Sequence, residues 1–239
     1  MSGPAAGSTK LLVFLPKRPD ISDASFHRHW RTTHAVLACR ITMLQRYGQA
    51  HRLSPGLAGF PPAPFEDAPF LGVSEAWLPD AATVDAMAVH PEYVDGARAD
   101  EANFVDVTAK CNLICEERVG SHGVPKLGPG GVKTFFLLRR PPSSGPAAFR
   151  EQWSDPGMWA AVAATPNLAG YAECWPVPAT YSNRRRAPFD AVVELWWSGV
   201  EGLTRDLGSV VARLVGDGRA PIGPGSMALA ATEHRVIWP

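Results

Sequence analysis

The sequence has no GxGxxG, no Walker loop and no GxSxG. Nicotinamide, nucleotide-triphosphate and serine-hydrolase chemistry therefore have no motif to rest on. It has no apolar run near the roughly 18 residues that a membrane-spanning helix needs. Its opening, MSGPAAGSTK, has no apolar signal-peptide core, so the expected location is the cytoplasm. It has no excess of charge: 23 Lys and Arg balance 23 Asp and Glu, which gives no pull toward nucleic acid or acidic membrane. The run Arg184 to Arg186 is short and reads as a solvated turn. Cysteine is scarce, and its four scattered copies do not make a disulfide framework. Cys111 and Cys115 are spaced CxxxC within a strand-like segment, which reads as buried thiols rather than a zinc knuckle. What is there is apolar: 46% hydrophobic against 19% charged residues over 239, enough for a substantial core.

The second feature is self-similarity. KLLVFLPKRP at 10–19 is echoed by KTFFLLRRPP at 133–142. Phe26 and Trp30 are echoed by Phe149 and Trp153, and Tyr47 by Tyr171. FLGVSEAW at 70–77 is echoed by FDAVVELW at 189–196, which aligns Glu75 with Glu194 and Trp77 with Trp196. Four landmarks in the same order argue for a tandem duplication. The expected organisation is an extended or disordered N-terminus (1–9), a first module (10–119), a Gly- and Pro-rich linker (120–131) and a degenerate second module (132–239).

Within the first module the pattern predicts a fully apolar strand at 10–15. A helix follows from a Ser22 or Asp23 cap to about residue 40, with Phe26, Trp30, Leu37 and Ile41 as its apolar stripe. Strands are predicted at about 43–52, 70–77 and 105–118, and a helix from near Asp80. A short helical piece is predicted around 91–103. This βαββαβ order is the ferredoxin-like motif, whose antiparallel sheet carries helices on one face only. The expected fold is α+β: two such repeats forming an intramolecular dimeric-type α+β barrel, with a cavity between the sheets.

FHRHWRTTHA at 26–35, RYGQAH at 46–51 and ADEANFVD at 99–106, together with the first strand, resemble the EthD domain of the dimeric α+β barrel superfamily. The resemblance covers most of residues 10–118 and weakens over 132–238, where Gly157 and Trp175 stand in place of His34 and His51. It implies a barrel with a pocket. Because the superfamily includes cyclases, oxygenases, isomerases, dehydratases and heme enzymes, it implies no single reaction.

The candidate catalytic residues are His34, His51, Tyr47 and Glu75. His34 sits at the edge of the buried helical stripe, where an imidazole serves as a core residue or as a general base. Tyr47, Gln49 and His51 alternate along one strand face, putting phenol, amide and imidazole in a row. Glu75 lies mid-strand beside Trp77. Its duplicate Glu194 makes a structural ion pair, with Arg31 or Arg46 for example, as good a reading as catalysis. Trp30, Trp77, Gln49 and Phe104 are the candidate substrate contacts. His27, His29 and His34 do not share a helix face, so no metal site is expected. His90, His122 and His234 are placed in loops or near ends, without a role. The eight tryptophans, concentrated in the second module, line a cavity or fill it.

Together these features predict an enzyme without a cofactor. It would act as a lyase, cyclase, dehydratase or isomerase by His/Tyr proton transfer on a small hydrophobic, aromatic or polyketide-like substrate. The rivals are a heme enzyme on the same fold and a non-catalytic binding protein. The expected partner is the substrate, without nucleic acid or membrane, leaving room for a homodimer through the outer surfaces.

Overall fold

A computed structural model describes residues 9–54, 56–121, 123–178, 187–216 and 221–239. Residues 1–8, His122 and Arg184 to Arg186 lie outside the described residues.

Strand β1 (Thr9–Leu15) leads to helix α1 (Asp23–His29), whose N-cap Ser22 accepts from the Ser25 amide. The helix continues as a π-helical segment, Trp30–His34, into α2 (Ala35–Ala38). Thr32 Oγ1 donates to the Arg28 carbonyl at 2.8 Å, a back-bond that competes with the ordinary helical ladder at this point. Then come β2 (Arg46–Arg52), β3 (Glu66–Asp67) and β4 (Gly72–Leu78). Helix α3 (Ala81–Val89) is capped by Asp80, and a second π-helical segment, Glu92–Arg98, runs into α4 (Ala99–Glu101). Strand β5 (Cys111–Val119) starts later than the sequence predicts, because Asp106 closes a turn by accepting from the Thr108 amide at 3.0 Å. Strand β2 likewise starts at Arg46 rather than 43, after a turn in which the Leu44 amide bonds the Ile41 carbonyl.

The second half holds β6 (Val132–Leu138), α5 (Pro146–Trp153), α6 (Pro156–Ala163), β7 (Leu168–Pro176), β8 (Ala191–Trp197), α7 (Val200–Val215) and β9 (Met227–Ile237). None of the described helices is long and apolar enough to cross a membrane.

Eight antiparallel strands close a barrel in the order β2-β4-β1-β5-β7-β8-β6-β9, and β9 returns to β2. Each half contributes four strands in the same ferredoxin-like order, and the joins β5–β7 and β9–β2 tie one half to the other. Closure leaves neither four-stranded sheet with a free edge. Strand β3 pairs with the early part of β9.

The alternation along the strands assigns two faces. Leu12, Phe14, Val73, Phe135 and Leu229 pack inside the barrel, while Leu11, Tyr47 and Ala76 pack outward against the helices of the first half. The barrel axis carries charge. Lys10 Nζ lies 2.8 Å from Glu75, 2.7 Å from Glu117 and 2.7 Å from Glu194, and Lys133 Nζ lies 2.6 Å from Glu75 and 2.9 Å from Glu194. Trp77 covers Lys10 and Trp196 covers Lys133, each ring centroid 4.4 Å from its ammonium. The structural ion pair foreseen for Glu75 exists, but its partners are the two aligned lysines and not Arg31 or Arg46. Glu117, Cys174 and Glu194 come within metal-ligand reach of one another, yet Lys10 already supplies the cation between the two carboxylates.

Candidate functional site

The cavity of interest lies between the helices and the sheet of the first half, not between the two sheets as the sequence suggested. Its volume is about 50 Å³. Leu11, Val13, Ala38, Ile41, Met87 and Ala97 make most of its wall apolar, and His34, Tyr47, Ser74, Tyr93 and Glu101 bring the polar groups. Both π-helical segments border it: His34 ends the first, and Tyr93 and Ala97 belong to the second. Such segments mark functional sites more often than chance.

His34 is 8% exposed, and its Nδ1 lies 3.0 Å from Asp100 Oδ2. Asp100 also receives His29 Nε2 at 2.9 Å and Asn103 Nδ2 at 3.0 Å. Burial alone would raise the Asp100 carboxyl, but the bonds from Asn103, His29 and His34 outweigh it and hold it below the ordinary carboxylate range. An ionised acceptor fixes the tautomer of His34: Nδ1 carries the proton and donates, so Nε2 is bare. Burial lowers the His34 pKa, and the Asp100 charge offsets part of that drop, so the ring is neutral near pH 7. Phe104 packs at 5.1 Å from the His34 ring.

Tyr47 is buried, and burial raises its phenol above the ordinary range. Trp30 Nε1 donates to its oxygen at 3.3 Å, and Gln49 Nε2 at 3.4 Å. Tyr93, raised first by burial and then by the Glu101 charge, hydrogen-bonds Glu101, which pairs with Lys110. Behind Tyr47, the His51 ring packs 4.2 Å from Trp30. Gly72 leaves room for this packing, since a Cβ there would fall 2.3 Å from Trp30 Cζ3.

The structure thus gathers His34, Tyr47 and Phe104 on the cavity wall, with Trp30, Gln49 and His51 directly behind. Glu75 and Trp77 are on the opposite face of the sheet, inside the barrel. His234, expected near an end or in a loop, is on β9 with its ring 5.1 Å from His51. Sequence reasoning missed Asp100, Glu101, Ser74 and Tyr93. The first two stand in the ADEANFVD segment that carried the family resemblance.

In the second half the described residues of the corresponding layer pack a cluster of aromatic side chains. Trp153, Trp159, Trp175, Trp197, Phe136 and Phe149 belong to one buried cluster under α5, α6 and α7, and Trp159 stacks on Tyr171 at 4.4 Å.

Fold and site define a duplicated α+β barrel with one open half. Residues 18–108 match the sequence model of the EthD domain. No curated relative matches the chain. Solved structures share the architecture. An anthrone oxidase-like protein superposes with a TM-score of 0.65 at 11% identity, covering 99% of this chain and 96% of its own. A candidate monooxygenase of Fusobacterium nucleatum gives 0.59 at 6% identity over 95% and 92%. A heme-binding protein of Thermus thermophilus gives 0.51 at 10% identity over 95% and 91%. At these identities the likeness is one of fold.

Proposed function

We propose that the first half is the working half of an enzyme that removes a proton from a small, largely apolar carbonyl or phenol compound, with His34 as the base. The observation that carries this reading is the His34–Asp100 bond: it leaves a bare, neutral Nε2 on the wall of an apolar cavity. Asp100 orients the ring and stabilises the imidazolium that forms, and Tyr47 faces the oxygen on which charge develops.

The proton goes from the substrate carbon or hydroxyl to His34 Nε2, and the electron pair stays on the substrate as an enolate or phenolate. Lyase, cyclase, dehydratase and isomerase reactions share this first step. Molecular oxygen can also attack such an anion, which is consistent with the names of the anthrone oxidase-like and monooxygenase relatives. The cavity is far below the roughly 300 Å³ where drug-sized ligand pockets begin, so a small substrate fits better than a polycyclic one. For the same reason this cavity does not fit a porphyrin.

The test is exchange of the α-protons of cyclopentanone in D2O, followed by NMR. The wild type should exceed buffer, and His34→Ala should lose about 10²-fold or more of that excess. Binding of cyclopentanone without faster exchange would favour the carrier reading, and an undiminished rate in His34→Ala would overturn the assignment of the base.

A further inference from the structure

Strand β9 outruns one of its two neighbours. β6 pairs with it only as far as Lys133 opposite Ala231, whereas β2 stays paired as far as Tyr47 opposite Ile237. The next residue of the β6 side that could bond the edge is Gly131. It closes a turn instead, its amide bonding the Gly128 carbonyl at 3.1 Å. Beyond Ala231, β9 therefore keeps one edge without a strand, although the barrel as a whole is closed.

Alternation decides which backbone groups look out from that edge. In an antiparallel ladder the N–H and C=O of one residue point to the same side, and those of the next point to the other. The carbonyls of Ser226, Ala228 and Ala230 accept from the amides of Glu66, Ala68 and Leu53, on the side of β3 and β2. The register with β2 is regular from Ala231 to Arg235, so His234 faces β2 as well. Glu233 and Arg235 then face the free edge. Their amides and carbonyls have no backbone partner among the described residues.

A groove of about 1200 Å³ runs along this edge, between β9 and residues 123–131. It shares no wall residue with the His34 cavity. Drug-sized ligand pockets end at roughly 1,000 Å³, so the groove has room for something longer. Its wall is basic in a chain of zero formal net charge: Arg31, Arg46, Lys126 and Arg235 line it, and Glu233 is its one acidic side chain among the described residues. Glu233 is already engaged. Its Oε1 lies 3.5 Å from Lys133 Nζ and accepts from Trp196 Nε1 at 3.2 Å, and its Oε2 accepts from Arg235 Nε at 2.8 Å. Arg31 and Lys126 are exposed and make no ion pair among the described residues.

These features select among occupants. A simple anion would use the cations and the amides but leave the carbonyls of the edge unmatched. A second copy of this chain would bring its own Arg31, Lys126 and Arg235 against the same charges. An extended acidic peptide meets all three demands, with alternating donors and acceptors for the edge and carboxylates for the cations. We propose that this groove binds an extended acidic segment of a partner protein, which adds to β9 as a short strand beside Glu233 and Arg235 and sets its carboxylates against Arg31 and Lys126.

The test titrates three blocked hexapeptides into the isotope-labelled full chain and follows them by NMR: acetyl-TETETE-amide, its lysine twin acetyl-TKTKTK-amide, and TETETE with every peptide nitrogen methylated. TETETE should bind and shift the amide resonances of Glu233 and Arg235. The methylated peptide keeps the charges but loses the backbone donors, and should bind about five- to tenfold more weakly. The lysine twin should bind at least about tenfold more weakly. The double variant Arg31→Ala/Lys126→Ala changes only exposed side chains and should weaken TETETE about three- to tenfold. The proposal is overturned by no binding of TETETE, by equal binding of the lysine twin, or by shifts that spare Glu233 and Arg235. Equal binding of the methylated peptide would also overturn it, leaving a groove that attracts anions without using the edge. So would dimerisation of the unliganded chain that the double variant strengthens, because the edge would then belong to a second copy.

Discussion

Lys10 and Lys133 occupy equivalent places in the two repeats, and each binds a glutamate of the other: Lys10 meets Glu194 at 2.7 Å and Lys133 meets Glu75 at 2.6 Å. The two halves are thus joined through their interior as well as through their strand edges. Removing one ammonium leaves buried carboxylates under-compensated, at a typical cost of about 3–5 kcal/mol. Lys133→Met should lower stability by that order in a urea titration. Adding Glu194→Gln should recover part of it. A loss below about 1 kcal/mol would mean that the charges are not mutually dependent.

The same pair predicts alkaline behaviour. Burial would lower both lysines, but for Lys10 the carboxylates Glu117, Glu194 and Glu75 outweigh it, and for Lys133 Glu194, Glu75 and Glu233 do, so both pKa values are raised. Above the ordinary lysine value of 10.5 the unfolded chain releases protons that the folded chain keeps, so stability must fall as pH rises. Thermal midpoints measured from pH 9 to 12 should drop above about 10.5, and drop less steeply in Lys133→Met.

At the acid side the sign reverses. His51 is held neutral down to about pH 2, while in the unfolded chain it protonates near 6.5. Below that value the unfolded state binds the extra proton, so stability falls with falling pH at about 1 kcal/mol per pH unit for this group. His51→Gln should flatten the slope of unfolding free energy between pH 6 and 5 by about that amount. An unchanged slope would place the acid sensitivity in His27, His34 or His234 instead.

Asp100→Asn keeps the shape of the site while removing the acceptor that fixes the His34 tautomer. Exchange of cyclopentanone protons should fall by about 10²-fold or more. Asp100 raises the His34 pKa against the effect of burial, so the rising limb of the pH–rate profile should also move to lower pH. A lower plateau with an unmoved limb would assign Asp100 to packing alone.

Trp159→Ala should cost about 3–5 kcal/mol, because a buried indole that stacks on Tyr171 leaves a hole in the closed half. Exchange in the folded fraction should be unaffected. A matching loss of exchange would show that the closed half contributes to the chemistry and not to stability alone.

The sequence made the repeat legible because its landmarks are chemically costly. A lysine and a glutamate recurring inside apolar strands, at Lys10 and Lys133 and at Glu75 and Glu194, have few reasons to be there except each other. It did not reveal which face of the sheet meets which layer. In a barrel wrapped by helices both faces of a strand are buried, so Leu11 through Leu15 read as an unbroken apolar run and the period of two disappears. Tyr47, Gln49 and His51 share one face as the alternation predicts, but that face meets the helices and not the barrel interior, and Trp30 and Trp77 lie on opposite sides of the sheet. Asp100 escaped because its partner His34 is 66 residues away, a distance that only the fold can close.

The π-helical segment before His34 makes the register of the working half unusually vulnerable to chain length. Each residue added to or removed from a helix turns everything beyond it by about 100°. Losing one residue between Trp30 and His34 would allow an ordinary helix to form, with better backbone geometry and a misdirected imidazole. A single codon gained or lost in that stretch could therefore decide whether a domain of this design catalyses or merely folds, without touching any residue that contacts a substrate.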